Sequence, residues 1–252
     1  MNLLTQLLHI VGNGASAYIM ARGMRDPQTR PNLLAGFQMA ESGSVPFLET
    51  LRDRALAEAD PWMAEQLTRH AADERRHGQI FAQALKRHHK QAIDPAILAA
   101  EAQKNPDRQR NPFFDAYFKG YSQAELKGEA IDWVVFIGST HILELDASRD
   151  FVRMAHALPE DNEAALSTRK AMLSIAQDET RHAAYLKEAL YRRLPAFEAN
   201  QVIDEWRGRK VNALIAMTQN FIQRQGQMQS LAQDAMPTDA DSQNELPLLQ
   251  AA

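Results

Sequence analysis

Cysteine is absent from this chain of 252 residues. That excludes disulfides, zinc ribbons, iron–sulfur clusters and thiol nucleophiles. Any metal site must use oxygen and nitrogen ligands, which suit iron or manganese, and electrons for redox chemistry must come from a separate reductase. Long apolar runs are also missing: the longest, Trp133 to Ile137, is far too short for a bilayer. The start, Met1-Asn2-Leu3-Leu4, has no basic region or small-residue cleavage site, so no secretory signal is read and a cytoplasmic location is expected. Nor is there a basic excess. Lys and Arg number 28 against 32 Asp and Glu, a formal charge of -4. Asp234, Asp239, Asp241 and Glu245 follow Gln227 with no basic residue among them, which accounts for the whole imbalance. The near-neutral body carries no nucleic-acid stripe, and a nucleic-acid partner is disfavoured.

Strand signals are almost absent, and helical periodicity fills what is there. The expected fold is all-α. A first helix spans about residues 2–22, with Gly12 and Gly14 interrupting or ending it. A second starts near Pro31 and runs to about Ala59, where Asp60-Pro61 signals a turn and restart. The third runs from Pro61 to about Lys90. A polar stretch around Asn105-Pro106 and Asn111-Pro112 separates two halves, and a linker helix leads from Pro112 towards Gly128. Further helices are expected from about Glu129 to Ala157, Asp161 to Arg193, and Ala199 to Gln225. The domain reading is a single unit over 1–227, its bundle core about 31–194, with 228–252 a disordered acidic tail.

Two near-identical strings stand out: Asp73-Glu74-Arg75-Arg76-His77 and Asp178-Glu179-Thr180-Arg181-His182. Each carries Glu-x-x-His, which puts a carboxylate and an imidazole on one helix face, a turn apart. A lone glutamate precedes each at similar range, Glu41 before Glu74 and Glu144 before Glu179. Two lone glutamates and two Glu-x-x-His motifs on four helices form the ligand set of a carboxylate-bridged dinuclear metal site inside a four-helix bundle. The expected metal ligands are therefore Glu41, Glu74, His77, Glu144, Glu179 and His182. One such string alone would more often be a solvated face. Here it occurs twice, with apolar residues seven positions to either side, and an unpartnered carboxylate buried there costs several kcal/mol.

Asp73 and Asp178 precede the motif glutamates, and metal-bound imidazoles usually donate their other N–H to a carboxylate or carbonyl. The expectation is that Asp73 bonds His182 and Asp178 bonds His77, with Arg76 and Arg181 completing the pairing; ordinary surface salt bridges are the alternative. Depth along the helices, at about 1.5 Å per residue, brings Glu41 level with Glu74 and His77 across the Asp60 turn. Across the Pro159 turn Glu144 falls short of Glu179, so a longer connection or a kink near Gly138 is needed. His141, one turn before Glu144, sits closer to Glu179 in depth. It reads as a seventh ligand or a proton donor, or else as a core histidine on a backbone carbonyl. His70, one turn before Glu74, has the same two readings, the structural one being the stronger.

On these residues the chain resembles the ferritin-like superfamily of di-iron carboxylate proteins over roughly residues 31–194, with additional N-terminal, linker and C-terminal helices. The resemblance implies two Fe ions, with Mn or a mixed Mn/Fe pair also fitting, held by the six residues above. A classical rubrerythrin would need a cysteine-rich module, a ferritin subunit is shorter, and reductase small subunits are longer, with aspartate where Glu41 stands. What the resemblance implies is a stand-alone oxidase or oxygenase that activates O2 to hydroxylate, N-oxygenate or desaturate an organic substrate. That substrate is a small molecule or carrier-bound, the electrons come from an external donor, and a homodimer is compatible with this reading. The competing readings are an iron-handling or peroxide-protective protein, and a helical scaffold without metal.

Overall fold

The computed structural model describes residues 3–104, 111–160, 162–223 and 230–235. Among these it is all-α apart from one two-stranded sheet. The eight helices are α1 (Leu3–Arg25), α2 (Arg30–Ala57), α3 (Pro61–Lys86), α4 (Pro95–Lys104), α5 (Pro112–Tyr117), α6 (Trp133–Ala157), α7 (Glu163–Arg193) and α8 (Ala196–Gln223). Proline fixes several starts, because its missing N–H costs nothing in a first turn. Pro31 and Pro61 stand there in α2 and α3, and the Asp60 side chain caps α3 by accepting from the Met63 N–H at 3.0 Å. Asp132 caps α6 and Asn162 caps α7 in the same way.

Two long hairpins position everything else. α2 packs along α3 and α6 along α7, and the hairpins meet through α3 and α7. Two apolar clusters form the core. One gathers Leu51, Met63, Leu67, Phe136, Ile137, Leu186 and Trp206; the other Leu34, Phe81, Leu85, Phe151, Met172 and Ile175. Each of the four helices contributes to both clusters and carries a polar gap between them. Leu34 and Leu48 flank Glu41, Leu67 and Phe81 flank Glu74, and Met172 and Leu186 flank Glu179. α1 lies against α6 and α8, and α8 closes over α5 and α6.

Several expectations need correction. α1 runs unbroken through Gly12 and Gly14, since packing on α6 and α8 overrides a weak helix former; the Leu214 side chain lies 3.4 Å from where a Gly12 Cβ would stand. α3 stops at Lys86 rather than near Lys90, because His89 turns left-handed (φ 53°) and sends the chain into a strand. That strand, β1 (Lys90–Ala92), pairs antiparallel with β2 (Ala232–Asp234). Residues 230–235 therefore belong to the fold and not to a disordered tail: Leu231 packs on the second cluster, its N–H bonds the Asn32 side chain, and Lys90 pairs with Asp234. The rest of the expected tail lies outside the described residues, as does 105–110 in the polar stretch. α5 ends at Tyr117, well short of Gly128, and α6 begins at Trp133 rather than Glu129.

Candidate metal centre

The hairpin registers bring the polar gaps level. Glu41 is 16 residues before the end of α2 at Ala57, and Glu74 is 13 after the start of α3 at Pro61. Glu144 is 13 before the end of α6 at Ala157, and Glu179 is 16 after the start of α7 at Glu163. The second pair is brought level with α6 running as one helix from Trp133 to Ala157, through Gly138. Glycine at 138 serves another purpose: a Cβ there would press into Val202 and the Trp206 indole, so its absence lets α8 approach.

Two groups of donors result. Glu41, Glu74, His77 and Glu179 offer atoms within 4.8 Å of one another, as do His70, Glu74, Glu144 and His182. Glu74 belongs to both. His77 presents Nδ1 to Glu179 at 3.3 Å, Glu41 at 3.4 Å and Glu74 at 3.8 Å. His182 presents Nδ1 to Glu74 and Glu179 at 3.5 Å and to Glu144 at 3.8 Å. His70 points Nε2 inward, 3.1 Å from Glu74 and 3.5 Å from Glu144. Ligands about 2.1 Å from one cation sit about 3 to 3.6 Å apart, close to these separations. All six sequence-predicted ligands are thus brought together.

The outer nitrogens of two imidazoles are held across the hairpin interface. His77 Nε2 is 3.1 Å from Asp178, and His182 Nε2 is 3.3 Å from Asp73. Arg76 pairs with both aspartates, and so does Arg181. Each aspartate thereby joins the two motifs and orients the opposite histidine with its Nδ1 inward. His141 is not in the cluster: its Nδ1–H donates to the Ala183 carbonyl at 2.9 Å, and burial pushes the ring's pKa down. It is a neutral core histidine, its place at the centre taken by His70. The sequence signal for His70 is its spacing, His-x-x-x-Glu-x-x-His over 70–77, which stacks three donors on one face. Two further neighbours went unnoticed in the sequence. The Tyr185 hydroxyl shares a 2.7 Å hydrogen bond with His70 Nδ1, and the Ser44 hydroxyl lies 3.3 Å from Glu74 Oε2.

The electrostatics fit a cation. Among the described residues, Glu74 Oε1, Glu179 Oε1 and His182 Nδ1 are buried side-chain atoms without a hydrogen bond, and all three point into the cluster. Buried polar atoms are normally paired, and one left alone costs about 1–3 kcal/mol. Protons are drawn to the same spot. Burial, then Glu74, pushes the Glu41 carboxyl well up, and burial with Glu144 raises Glu179 to about 7. Burial opposes charge on the histidines, yet Glu179 and Glu41 push His77 up to about 10. Asp73, Glu144 and Glu179 push His182 up to about 12. The histidines take up protons against desolvation because the surrounding carboxylates attract positive charge, and a metal cation is attracted for the same reason. These buried groups could hold a metal ion.

The chain matches no family model, no curated protein and no solved structure.

Proposed function

We propose that the protein is a dinuclear non-haem iron oxidase or oxygenase of ferritin-like type, which activates O2 to oxidise an organic substrate with electrons from a separate reductase. The observation that carries this reading is the shared carboxylate. Two four-donor groups meet at Glu74, and among the described residues three of their buried donor atoms make no hydrogen bond. A single-ion site or a salt-bridge scaffold has no use for that overlap. A bound iron pair supplies reversible electron transfer and coordination for O2.

The chain's own residues set the conditions. Glu41, Glu74, Glu144 and Glu179 supply four negative charges at a depth where counter-charge is required. The apolar clusters above and below exclude bulk water. Asp73 and Asp178 fix the rings of His182 and His77, so that Nδ1 faces the cluster and Nε2 keeps its proton. Glu41 and Glu144 have the most exposed side chains of these four glutamates, 11% and 14% against 6% and 2%, which puts the more accessible carboxylates on α2 and α6. Substrate approach is expected from that side.

The test is metal content of purified protein beside Glu74→Ala and Glu179→Ala. About two iron per chain, lost in both variants, followed by reductant-dependent O2 consumption that an organic co-substrate accelerates, supports the oxygenase. O2 or peroxide turnover driven by iron alone points instead to iron handling. No metal uptake after anaerobic Fe(II) loading sinks the reading and leaves a scaffold.

A further inference from the structure

The two halves of the centre differ at two coupled positions. Superposing the repeat through Asp73 and Asp178 places Glu74 on Glu179 and His77 on His182. The same offset, carried three residues earlier, places His70 on Ile175, and within the repeat it places Ile80 on Tyr185. His70 and Tyr185 are the pair joined by the 2.7 Å hydrogen bond. Their counterparts Ile175 and Ile80 are apolar and pack in the second core cluster. One donor group has thus gained an imidazole, from α3, together with the hydroxyl that holds it, from α7, and the other donor group has neither.

We propose that this pair makes the metal positions chemically unlike, so that the His70, Glu144 and His182 position takes a more nitrogen-seeking divalent ion than the Glu41, His77 and Glu179 position. The inference rests on the dinuclear reading above. Counting Glu74 in each, the first position offers two nitrogens and two carboxylates, the second one nitrogen and three carboxylates. Imidazole favours the later ions of the first row, carboxylate favours manganese, and Mn(II) is the weakest binder of the series. His70 is preset for the role. Its ring stacks on His182 at 3.8 Å between centroids, with 28° between the planes. With Nε2 committed to a cation, Nδ1 carries the proton and donates it to the Tyr185 oxygen. Tyr185 is a positioning residue, since its hydroxyl meets His70 and not the cluster's inner donors. The pair is buried, so solvent does not compete for either ring nitrogen.

The experiment is anaerobic titration of the whole protein with Co(II), followed by its visible absorption, and then competition with Mn(II). The native protein is expected to bind two cobalt ions in two resolved steps with different spectra. His70→Gln weakens one step about 10- to 100-fold, the usual effect of disturbing a ligand or its holder, and leaves the other within about twofold. Glu41→Gln does the reverse. Tyr185→Phe keeps the ring volume, weakens only the His70 step about tenfold and shifts only that step's absorption. A purely structural role for the hydroxyl would not do this, and the variant carries the test if His70→Gln fails to fold. Mn(II) displaces cobalt first from the step that Glu41→Gln weakens. The proposal is overturned if both single-ligand variants weaken the same step, if Tyr185→Phe and His70→Gln leave both steps unchanged, or if Mn(II) displaces both ions alike. Two cobalt ions bound under any of those results leave the dinuclear reading standing. No cobalt bound by the native protein removes both.

Discussion

Asp73 and Asp178 each perform two tasks with one carboxylate. Asp178 is buried, and its oxygens meet His77 from α3, Arg76 from α3 and Arg181 from its own helix. The imidazole is aimed and the two hairpins are tied by the same group. Replacing it by asparagine keeps the size but removes the charge that supports a cation-bound ring. Asp178→Asn is expected to lower metal affinity about 10- to 100-fold while the fold persists, as read by chelator competition beside circular dichroism. Unchanged affinity would reduce the aspartate to a salt-bridge residue. His141 gives the opposite expectation. Among the described residues its hydrogen bond is to the Ala183 carbonyl, so His141→Leu should leave metal stoichiometry unchanged and cost about 0.5–1.5 kcal/mol in urea unfolding. Loss of metal in that variant would return His141 to the centre. The sequence pointed to the six donors that the fold gathers and to the aspartate crossing: the two motifs with their aspartates follow from one-turn spacing repeated in both halves, and Glu41 and Glu144 from their range and depth before them. It favoured His141 over His70, and the fold reverses that order. Both lie one turn before a ligand glutamate on an apolar face, and only the rotation of each helix about its axis separates them.

At the scale of elements, the helix ends marked by proline or a capping side chain were legible: Pro31, Asp60-Pro61, Pro159 and Pro195 each stand within a few residues of an observed boundary. What was not legible depended on partners remote in sequence. β1 and β2 are three residues each, and neither has a strand pattern; they exist because residues 90 and 234 meet. The glycines misled for the same reason. Gly12 looked like a breaker and is helix interior, while Gly138 looked like a kink and is a contact with α8. That contact is testable. Gly138→Ala would drive a methyl group against the Trp206 indole and Val202, neither of which can swing aside as a flexible chain end could. Overpacking of this kind costs about 1–3 kcal/mol. The variant should unfold at lower urea with altered tryptophan fluorescence. A native urea midpoint would show that α8 shifts freely and that the close approach is incidental.

Across the whole molecule, a concentrated negative charge lies between two apolar clusters, and the fold's stability depends on what neutralises it. Without a cation, protons do so. Glu179, raised from 4.5 to about 7 by burial and Glu144, binds more protons folded than unfolded across that interval. His77, raised from 6.5 to about 10, does the same above it, chiefly because Glu179 and Glu41 outweigh its burial. For both groups the folded state loses its advantage as pH rises through the folded pKa, so stability falls as pH increases. The aspartates act in another window. Asp73 is held well below its usual value by His182, and Asp178 is held low by His77 and Arg76 against its burial, so their contribution is present above about pH 4 and lost only in stronger acid. The chelated protein should therefore melt at progressively lower temperature between about pH 5 and 9. Metal binding needs deprotonated ligands and grows stronger over the same range, adding about 2.7 kcal/mol when free metal stands at a hundred times its dissociation constant. Melting curves of chelated and iron-loaded protein, recorded anaerobically, should accordingly diverge as pH rises. Parallel curves would mean that the carboxylates are neutralised by fixed charges of the protein itself, with the cation contributing nothing to the fold.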